Sequence, residues 1–448
     1  MILAGAYKSV VTPHVGINLD GDFKAVKSEG IMDDLYVNAI VFDDGKKEVA
    51  LVSADVCNIN SQIIDNLIIP RITDICGIDK NNIIISATHT HGGPLLFTSE
   101  PELFGEVSDS YVDFFVQTLA SCVFMAKKNK RPVYINIGKS INKDSAFNRR
   151  LKKPDGSIVM NFVEEEYLKD CVPSGTADYE LLAARIDDTE GITRALIVNY
   201  ANHNNIIMNN NITSDMAGAM RETLEKIYQK DVVILFLLGA CGNVNWINYK
   251  NRKREKARNF YKLMGMSLAG TVLQAMLEAE KIESPVIYSE SKVLKIIERP
   301  YRDYDSFVDY TFGKSEELKN LFFEVYKKDK EKNSQNDLKI FDVPVNVFSI
   351  GDNFAISTNP AELFCEFGIE IKQKSPFKFT MVAGLTNGYC GYVPTRQAFD
   401  EGGYEVRKLQ NSSYLDINAG ELILNESLKL LKNAEKNYNY FKERSILE

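Results

Sequence analysis

The four histidines of this 448-residue chain are the residues whose positions most strongly suggest chemistry. His89 and His91 lie together in ISATHTHGGP and His203 lies in NYANHNN, whereas His14 stands outside any such context. The first three follow short β-branched or aromatic runs, where strands end and binding sites form. Because histidine is the commonest metal ligand in proteins, these positions predict a metal site, and zinc is the ion we expect there.

The spacing H-x-H predicts that His89 and His91 share one side of a strand, and Gly92-Gly93-Pro94 predicts a turn after them. From the residues alone we expect one of the two histidines to bind the ion and the other to donate a hydrogen bond. Metallo-β-lactamases need an acid and a further histidine after such a pair, and here Gly93 and Pro94 follow it. Amidohydrolase barrels need several more histidines. The small number of histidines therefore fits a single ion that is held by two or three histidines and by oxygen ligands.

The oxygen ligand is expected to be a carboxylate at another strand end. In FAISTNPAELFCEF, Glu362 follows a proline turn and is predicted to lie in the first turn of a helix over Ala361–Lys374. A glutamate there is also a good partner for the helix dipole, so its position alone does not establish a ligand. His203 could equally be a hydrogen-bonded core histidine. Cys241 ends the apolar run VVILFLLGAC, and we expect a small packed residue there rather than a nucleophile.

Strand and helix patterns alternate through most of the chain, which predicts α/β layers. The runs that predict strands are LYVNAIVF, EVALVSADV, NNIIISAT, RPVYINIG, TRALIVNYA, DVVILFLLG, SPVIYSESKVLKII, VPVNVFSIGDNFAIST and KFTMVAGL. Helices are predicted over Gln62–Cys76, Ser110–Lys128, Ser214–Lys230, Arg252–Lys281, Ala361–Lys374 and Gly420–Lys442. Residues 301–337 mix charge runs with aromatics and predict an insertion. It is expected to be surface decoration, and the alternatives are a cover over a site or a protruding helical hairpin.

Composition and charge exclude several classes of protein. The net charge of −8 argues against a nucleic-acid partner, and the basic cluster Lys250–Arg258 is expected to be a solvated helix face. No run of about 18 apolar residues occurs, so no integral membrane segment is expected. The start shows no signal-peptide pattern, and the seven cysteines contain no C-x-x-C pair. We therefore expect a cytoplasmic protein, or a secreted one if a signal peptide has been removed.

Seven motifs, in this order, resemble those of the neutral/alkaline (non-lysosomal) ceramidase family: AGAYKSVVTP, THTHGGP, FNRRLKKPDGS, NYANH, LFLLGACGNVN, NPAE and AGLTNGYCGYVPT. The resemblance spans the chain from Ala4 to Glu405. It implies an α/β fold of mixed β-sheets flanked by helices, in one domain over residues 1–448. It also implies an amidase that uses one zinc ion per chain. The family's C-terminal immunoglobulin-like domain is expected to be absent.

By this resemblance the zinc ligands are His89, His203, Glu362 and, through its phenolic oxygen, Tyr392. His91 would lie next to the ion, contact its water or the substrate, and pass a proton to the leaving amine. The residues alone would have placed Tyr392 in the core or in a pocket wall.

Four further residues are expected around the ion. Tyr389 or backbone N–H groups could hold the oxyanion together with zinc. Arg149 and the turn at Asn243 are expected to contact substrate, with Asn243 also close behind the ligands. Asp215 is expected to support His203 from behind.

The chain departs from the family where a Ser-Asn pair would precede a Gly-rich turn, because Gly239-Ala240 stands there. The serine sometimes proposed as a nucleophile is therefore missing. We expect an N-acyl amide substrate, a small molecule or a lipid-like one, that is smaller or more polar than ceramide. A zinc esterase or carbohydrate deacetylase is the alternative among enzymes, and a metal-stabilised binding protein without turnover is the alternative outside them.

Overall fold

Eight long strands form the larger of two principal sheets in the computed structural model, which describes residues 2–256, 259–283, 285–301, 314–333, 338–408 and 412–447. In chain order they are β1 (Leu3–Val10), β2 (Tyr36–Asp43), β3 (Glu48–Ala54), β4 (Ile83–Ala87), β5 (Arg131–Ile141), β6 (Glu180–Asp188), β7 (Thr193–Tyr200) and β8 (Val233–Leu238). They pair in the order β8-β7-β6-β5-β1-β2-β3-β4, and the short strand Glu280–Lys281 joins β5. Only β3 with β4 and β7 with β8 run parallel along this order.

The smaller sheet has four strands, β9 (Ile287–Ile297), β10 (Ile340–Ile350), β11 (Phe354–Thr358) and β12 (Phe379–Ala383), paired in that order. Its last two strands are parallel. The two sheets pack face to face, because alternate residues of β2, Ile40 and Phe42, share one core with Phe348 and Ile356 of the smaller sheet.

Helices pack on the outer faces of both sheets. The helices of the described chain are α1 (Ile69–Cys76), α2 (Asp109–Lys128), α3 (Asp215–Tyr228), α4 (Phe260–Leu277), α5 (Glu316–Asn333), α6 (Cys365–Lys374), α7 (Arg396–Glu401) and α8 (Ala419–Leu447). Val37, Ala39 and Val41 of β2 face a core that contains Phe115 of α2 and Leu268 of α4. Both faces of β2 are therefore buried, which explains why its sequence is a continuous apolar run rather than an alternating one.

Shorter elements complete the chain. A turn of α-helix, Ser61–Ile63, and a π-helical turn, Ile64–Ile68, lead into α1, and Pro101–Phe104 is a further short helix. The short strands are Asn18–Leu19, Val26–Lys27, Gly30–Ile31, Phe147–Asn148, Arg150–Lys152, Ile158–Met160, Val172–Pro173, Asn211–Ile212, Val244–Asn245, Glu362–Leu363 and Tyr392–Val393.

The predicted fold class is confirmed, and each of the nine runs that predicted strands contains one. Two helix starts are wrong. The helix predicted from Arg252 begins at Phe260, after a 3₁₀ helix at Arg252–Lys256, so the basic cluster precedes α4 rather than opening it. The helix predicted from Ala361 begins at Cys365. Within the described residues, no helix combines the length and apolar character needed to cross a membrane.

Much of the predicted insertion, at residues 302–313 and 334–337, lies outside the described residues. Its helix α5 does not protrude freely, because Tyr326 packs in one cluster with Phe23, Tyr301 and Tyr404. The hydroxyl of Tyr301 also donates to Asp329 at 2.5 Å. Tyr404 packs against Tyr392, one of the predicted zinc ligands, so helix α5 borders the predicted site.

Candidate metal centre

The predicted ligands follow strands whose carboxyl ends meet at one edge of the packed sheets. His89 follows β4, His203 follows β7 and Glu362 follows β11, and each of these strands has a parallel neighbour. Backbone bonds join these ends, from Ala87 N–H to the Leu385 carbonyl (3.1 Å) and from the Gly384 N–H to the Leu238 carbonyl (2.9 Å). Loops at the carboxyl ends of parallel strands are where α/β proteins place ligands.

His89, His203 and Glu362 converge as the sequence predicted. Their ligand atoms all lie within 4.8 Å of one another, and none of the three side chains is more than 3% exposed. Glu362 Oε2 lies 3.0 Å from His203 Nε2 and 3.5 Å from His89 Nε2. The two Nδ1 atoms face backbone carbonyls at 2.9 Å, of Cys57 for His89 and of Val244 for His203. A carbonyl only accepts, so each Nδ1 carries the proton and each Nε2 is directed at the centre of the cluster.

The H-x-H pair does not lie on a strand, which corrects the prediction. β4 ends at Ala87, and His89 has a φ of +63°, a left-handed conformation that non-glycine residues rarely adopt. The chain therefore turns between the histidines, and their ring centres lie 5.0 Å apart. Both ring nitrogens of His91 are buried and have no hydrogen-bond partner within the described residues. His91 thus lies beside the triad, with its nitrogens free for a ligand or substrate.

Glu362 lies in a two-residue strand rather than in a helical turn. That strand runs parallel to Tyr392–Val393, and the register sets Glu362 opposite Tyr392. The hydroxyl of Tyr389 donates to Glu362 Oε1 at 2.9 Å. Tyr389 therefore bonds to the Glu362 carboxylate directly, whereas Tyr392 lies beside Glu362 on the neighbouring strand.

Arg149, predicted to contact substrate, is built into the wall of the centre. It is only 4% exposed, and its three side-chain nitrogens bond to Glu405 Oε1 (2.8 Å), His203 Nε2 (3.1 Å) and the Gly242 carbonyl (2.7 Å). Its guanidinium lies 5.2 Å from the ring centre of Tyr392. Arg149 therefore positions one predicted ligand and brings positive charge to the ring of another.

Asn243 lies behind the site, where it bonds to two of the segments that form it. It is 1% exposed, its carbonyl accepts the Arg149 backbone N–H at 2.9 Å, and its side-chain oxygen accepts the Cys365 N–H at 2.9 Å. Its amide nitrogen donates to Glu366 at 2.8 Å. Asn243 thereby holds the start of α6 and the backbone of Arg149 in place.

Asp215 performs a different task from the one predicted. Its carboxylate accepts the backbone N–H groups of Ile207 (2.7 Å) and Met216 (2.6 Å), which fixes the loop after His203 to the start of α3. Among the described contacts, the ring of His203 is oriented by the Val244 carbonyl rather than by Asp215. Burial raises the pKa of Asp215 to about 7.

The electrostatics of the triad leave two acceptors facing each other. Burial and the Arg149 guanidinium lower the pKa of His203 to about 4, so its ring is neutral at neutral pH. Burial alone would raise the pKa of Glu362, but His89 and His203 outweigh it and hold that pKa well below its usual value. The Glu362 carboxylate and the lone pair of His203 Nε2 therefore lie 3.0 Å apart. Burial alone would lower the pKa of His89, but the Glu362 carboxylate outweighs it and raises that pKa. Arg149 Nη1 also lies 3.1 Å from His203 Nε2, so positive charge already offsets the pair. Neutral imidazole with ionised carboxylate is the state that binds metals.

The donor set fits zinc. Two imidazole nitrogens and one carboxylate oxygen are a frequent catalytic zinc set, which keeps a further position open. Zinc bonds of about 2.0–2.2 Å in tetrahedral geometry separate neighbouring ligand atoms by about 3.3–3.6 Å. The 3.5 Å from Glu362 to His89 matches that spacing, and the 3.0 Å from Glu362 to His203 is somewhat shorter.

Three residues near the centre carried no usable signal in the sequence. Cys57 Sγ lies 3.5 Å from His89 Nδ1. Asp20 accepts a hydrogen bond from Asn58 Nδ2 at 2.8 Å, and burial raises its pKa to about 6. Glu405 is fully buried against Arg149. An aspartate beside glycine in LDGD is indistinguishable from an ordinary turn residue, and neither Cys57 nor Glu405 stands in a metal-ligand spacing.

Comparison with known proteins agrees with the fold and identifies a family. The family model for neutral/alkaline non-lysosomal ceramidase, N-terminal, matches residues 5–280, which include His89, His91 and His203. Two solved structures are similar, one described as ceramidase complexed with C2 and one as neutral ceramidase from Pseudomonas aeruginosa. Each has a TM-score of 0.74 and 14% sequence identity, covering 97% of this chain and 75% of the other. At that identity the two structures show the shared fold.

Proposed function

Because this chain belongs to the neutral/alkaline non-lysosomal ceramidase family, whose members hydrolyse amide bonds, we propose that it cleaves an N-acyl amide with one zinc ion held by His89, His203 and Glu362. The observation that carries the proposal is the 3.0 Å approach of His203 Nε2 to Glu362 Oε2. Two imidazole nitrogens and a carboxylate oxygen that converge in a buried site form a donor set that suits zinc. Both Nδ1 atoms are tied to carbonyls, which directs both Nε2 atoms at the same point.

Tyr392 is the proposed fourth ligand. Its strand register with Glu362 holds it beside the carboxylate, and it is 7% exposed. Burial and the Glu362 carboxylate hold the pKa of the free Tyr392 phenol well above its usual value. Arg149 acts in the opposite direction, since its guanidinium lies 5.2 Å from the ring centre and favours the phenolate. A cation at the triad would lower the pKa of the Tyr392 phenol further, and the resulting phenolate would then bind that cation.

The residues around the triad divide the remaining chemistry. Zinc in such a site supplies Lewis acidity and makes a nucleophile available from water at neutral pH. Tyr389, whose single O–H donates to Glu362 Oε1, can serve the oxygen that gains negative charge by turning that O–H from the carboxylate to it. His91 has two ring nitrogens without protein partners and can pass a proton to the leaving amine nitrogen. Burial lowers the pKa of His91 well below its usual value, so the resting ring is neutral and ready to accept that proton.

The packing around Gly239 supports attack by water rather than by a side chain. A Cβ at Gly239 would lie 2.8 Å from the Cα of Ala201, so a serine does not fit there. The methyl group of Ala240 packs against Gly368 instead of facing the triad. Cys241 is 1% exposed, and burial holds the pKa of its thiol above the usual value. None of the three offers an activated nucleophile.

The proposed substrate is an N-acyl amide that is smaller or more polar than ceramide. The test compares zinc-loaded protein with chelated protein on N-acyl substrates of increasing chain length, and on the ester analogue of each. We expect zinc-dependent cleavage of short amides, with slower turnover of the matched esters. Each methylene buried along an apolar groove is worth about 0.8 kcal/mol, or about fourfold in kcat/KM. A steep and continued rise with chain length would restore ceramide as substrate, preference for esters would favour the esterase, and no zinc-dependent turnover would refute the proposal.

A further inference from the structure

A second group of ligand atoms shares His89 with the triad and adds a thiol. The ligand atoms of Cys57, His89 and His91 all lie within 4.8 Å of one another. His89 is already committed, because its Nδ1 donates to the Cys57 carbonyl at 2.9 Å and its Nε2 faces Glu362. Cys57 Sγ and the ring of His91 are therefore the members of this group that remain available to a further ion.

The ring of His91 is held in place but its nitrogens are not satisfied. Both nitrogens are buried and lack a hydrogen-bond partner within the described residues. Gly21 packs so closely that a Cβ there would lie 2.5 Å from His91 Nδ1. A buried polar group without a partner is unfavourable. The fixed ring therefore points to a ligand that binds at its nitrogens.

The carboxylate of Asp20 supplies negative charge to the same place. Asn58, the residue after Cys57, donates from Nδ2 to Asp20 Oδ2 at 2.8 Å, and the backbone N–H of Gly21 donates to Oδ1 at 2.7 Å. Within the described chain Asp20 forms no ion pair with a lysine or arginine. A carboxylate without a basic partner, tied to the residue after Cys57, favours a cation nearby.

We propose that Cys57 Sγ and a ring nitrogen of His91, beside the Asp20 carboxylate, bind a second divalent ion of thiophilic character, such as cadmium or excess zinc. Sulfur and imidazole ligands select such ions, whereas the triad of His89, His203 and Glu362 offers no sulfur. On binding, the thiol gives its proton to solvent and the thiolate coordinates the ion. The ion then occupies the nitrogen that His91 needs for proton transfer, so the second site is inhibitory. That inhibition rests on the proposed function, while the binding itself does not.

The test titrates cadmium into protein that already holds one equivalent of zinc. Calorimetry gives the number of ions bound, and ultraviolet absorption reports thiolate-to-cadmium charge transfer. We expect one further equivalent to bind, with the charge-transfer band, and amide hydrolysis to fall by about 10²-fold or more, as for loss of a general acid–base. Cys57→Ser should abolish the band and weaken the second binding event at least tenfold.

Cys241→Ser is the matched control, because Cys241 is equally buried and lies near Glu362 but outside the second group of ligand atoms. It should keep both the band and the second equivalent. If Cys57→Ser fails to fold, His91→Gln serves instead and should lose affinity for the second ion. The inference is overturned if Cys57→Ser binds cadmium as the unmodified chain does, or if the band disappears in Cys241→Ser. Protein that binds cadmium at Cys57 but cleaves no amide would refute the proposed function and leave the second site standing.

Discussion

Glu405→Gln should destabilise the protein and loosen its metal centre together. Glu405 is 0% exposed and accepts from Arg149 Nε at 2.8 Å and from Arg150 Nη1 at 2.7 Å. Glutamine keeps the shape but removes the charge, and its NH₂ group then faces a guanidinium donor. Breaking a buried ion pair in this way typically costs about 3–5 kcal/mol. Arg149 would then be an uncompensated cation 3.1 Å from His203 Nε2. Loss of such an outer partner typically lowers metal affinity about 10–100-fold.

The pH dependence of stability gives this prediction a second readout. Burial opposes ionisation of Glu405, but Arg149 and Arg150 outweigh it and lower its pKa below the usual glutamate value. A carboxylate with a lowered folded-state pKa stabilises the protein above its unfolded pKa, and the contribution disappears as pH falls through the folded pKa. This part of the acid-induced loss of stability should be missing in Glu405→Gln. Urea unfolding at several pH values and zinc competition with a chelator measure the two effects.

Glu401→Gln is the control for the same network. Glu401 lies 3.7 Å from Arg150 Nη2, but its side chain is 11% exposed, so its contribution should remain below about 1 kcal/mol. If Glu405→Gln costs no more than Glu401→Gln and leaves zinc affinity unchanged, the buried network does not support the centre, and our reasoning about Arg149 is refuted.

The remaining predictions concern the centre itself. His91→Ala should keep its zinc and lose about 10²–10⁴-fold in kcat, and metal loss as complete as in His89→Ala would contradict the assigned role. Purified chain should contain one zinc by elemental analysis, and Glu362→Gln should contain almost none; an equal content in both would place the ion elsewhere. Zinc at 1,000 times its Kd should raise the free energy of unfolding by about 4.1 kcal/mol, and thermal unfolding that ignores zinc would exclude binding to the folded chain. Cys241→Ala should lose less than about tenfold in kcat, or about 1.4 kcal/mol of barrier, and complete inactivity with intact zinc would revive covalent catalysis.

The sequence predicted what depends on local pattern. Apolar runs such as VVILFLLG identify strands because burial of both faces needs continuous apolar residues, whatever their partners are. His89 and His203 could also be assigned to the site from local pattern, because a polar residue that follows a buried strand lies at the edge of the sheet. Element boundaries were less certain. The H-x-H pair was placed on a strand because spacing alone does not show that the chain turns at His89.

What depends on distant partners was not predictable. Glu362 lies in a strand only because Tyr392 pairs with it thirty residues later in the chain, and the local pattern favoured a helix. His203 is oriented by the carbonyl of Val244, and every residue has a carbonyl, so no side chain marks that role. The prediction instead chose Asp215, whose carboxylate was the nearest visible candidate. Arg149 was predicted to meet substrate because its buried partner, Glu405, has no distinctive sequence context.

The topology explains why ligands so far apart in sequence meet. Most neighbouring strands of the larger sheet are antiparallel, and such pairs send consecutive carboxyl ends to opposite edges. The exceptions are β3 with β4 and β7 with β8, together with β11 and β12 of the smaller sheet. Each parallel pair contributes one ligand-bearing loop, and the backbone bonds between those loops bring His89, His203 and Glu362 into one buried cluster. No two of the ligands share a local element, so the centre can form only after both sheets have packed. The same feature lets an ion link three segments of the folded chain, and this is why we expect zinc to stabilise the fold as well as to supply the chemistry.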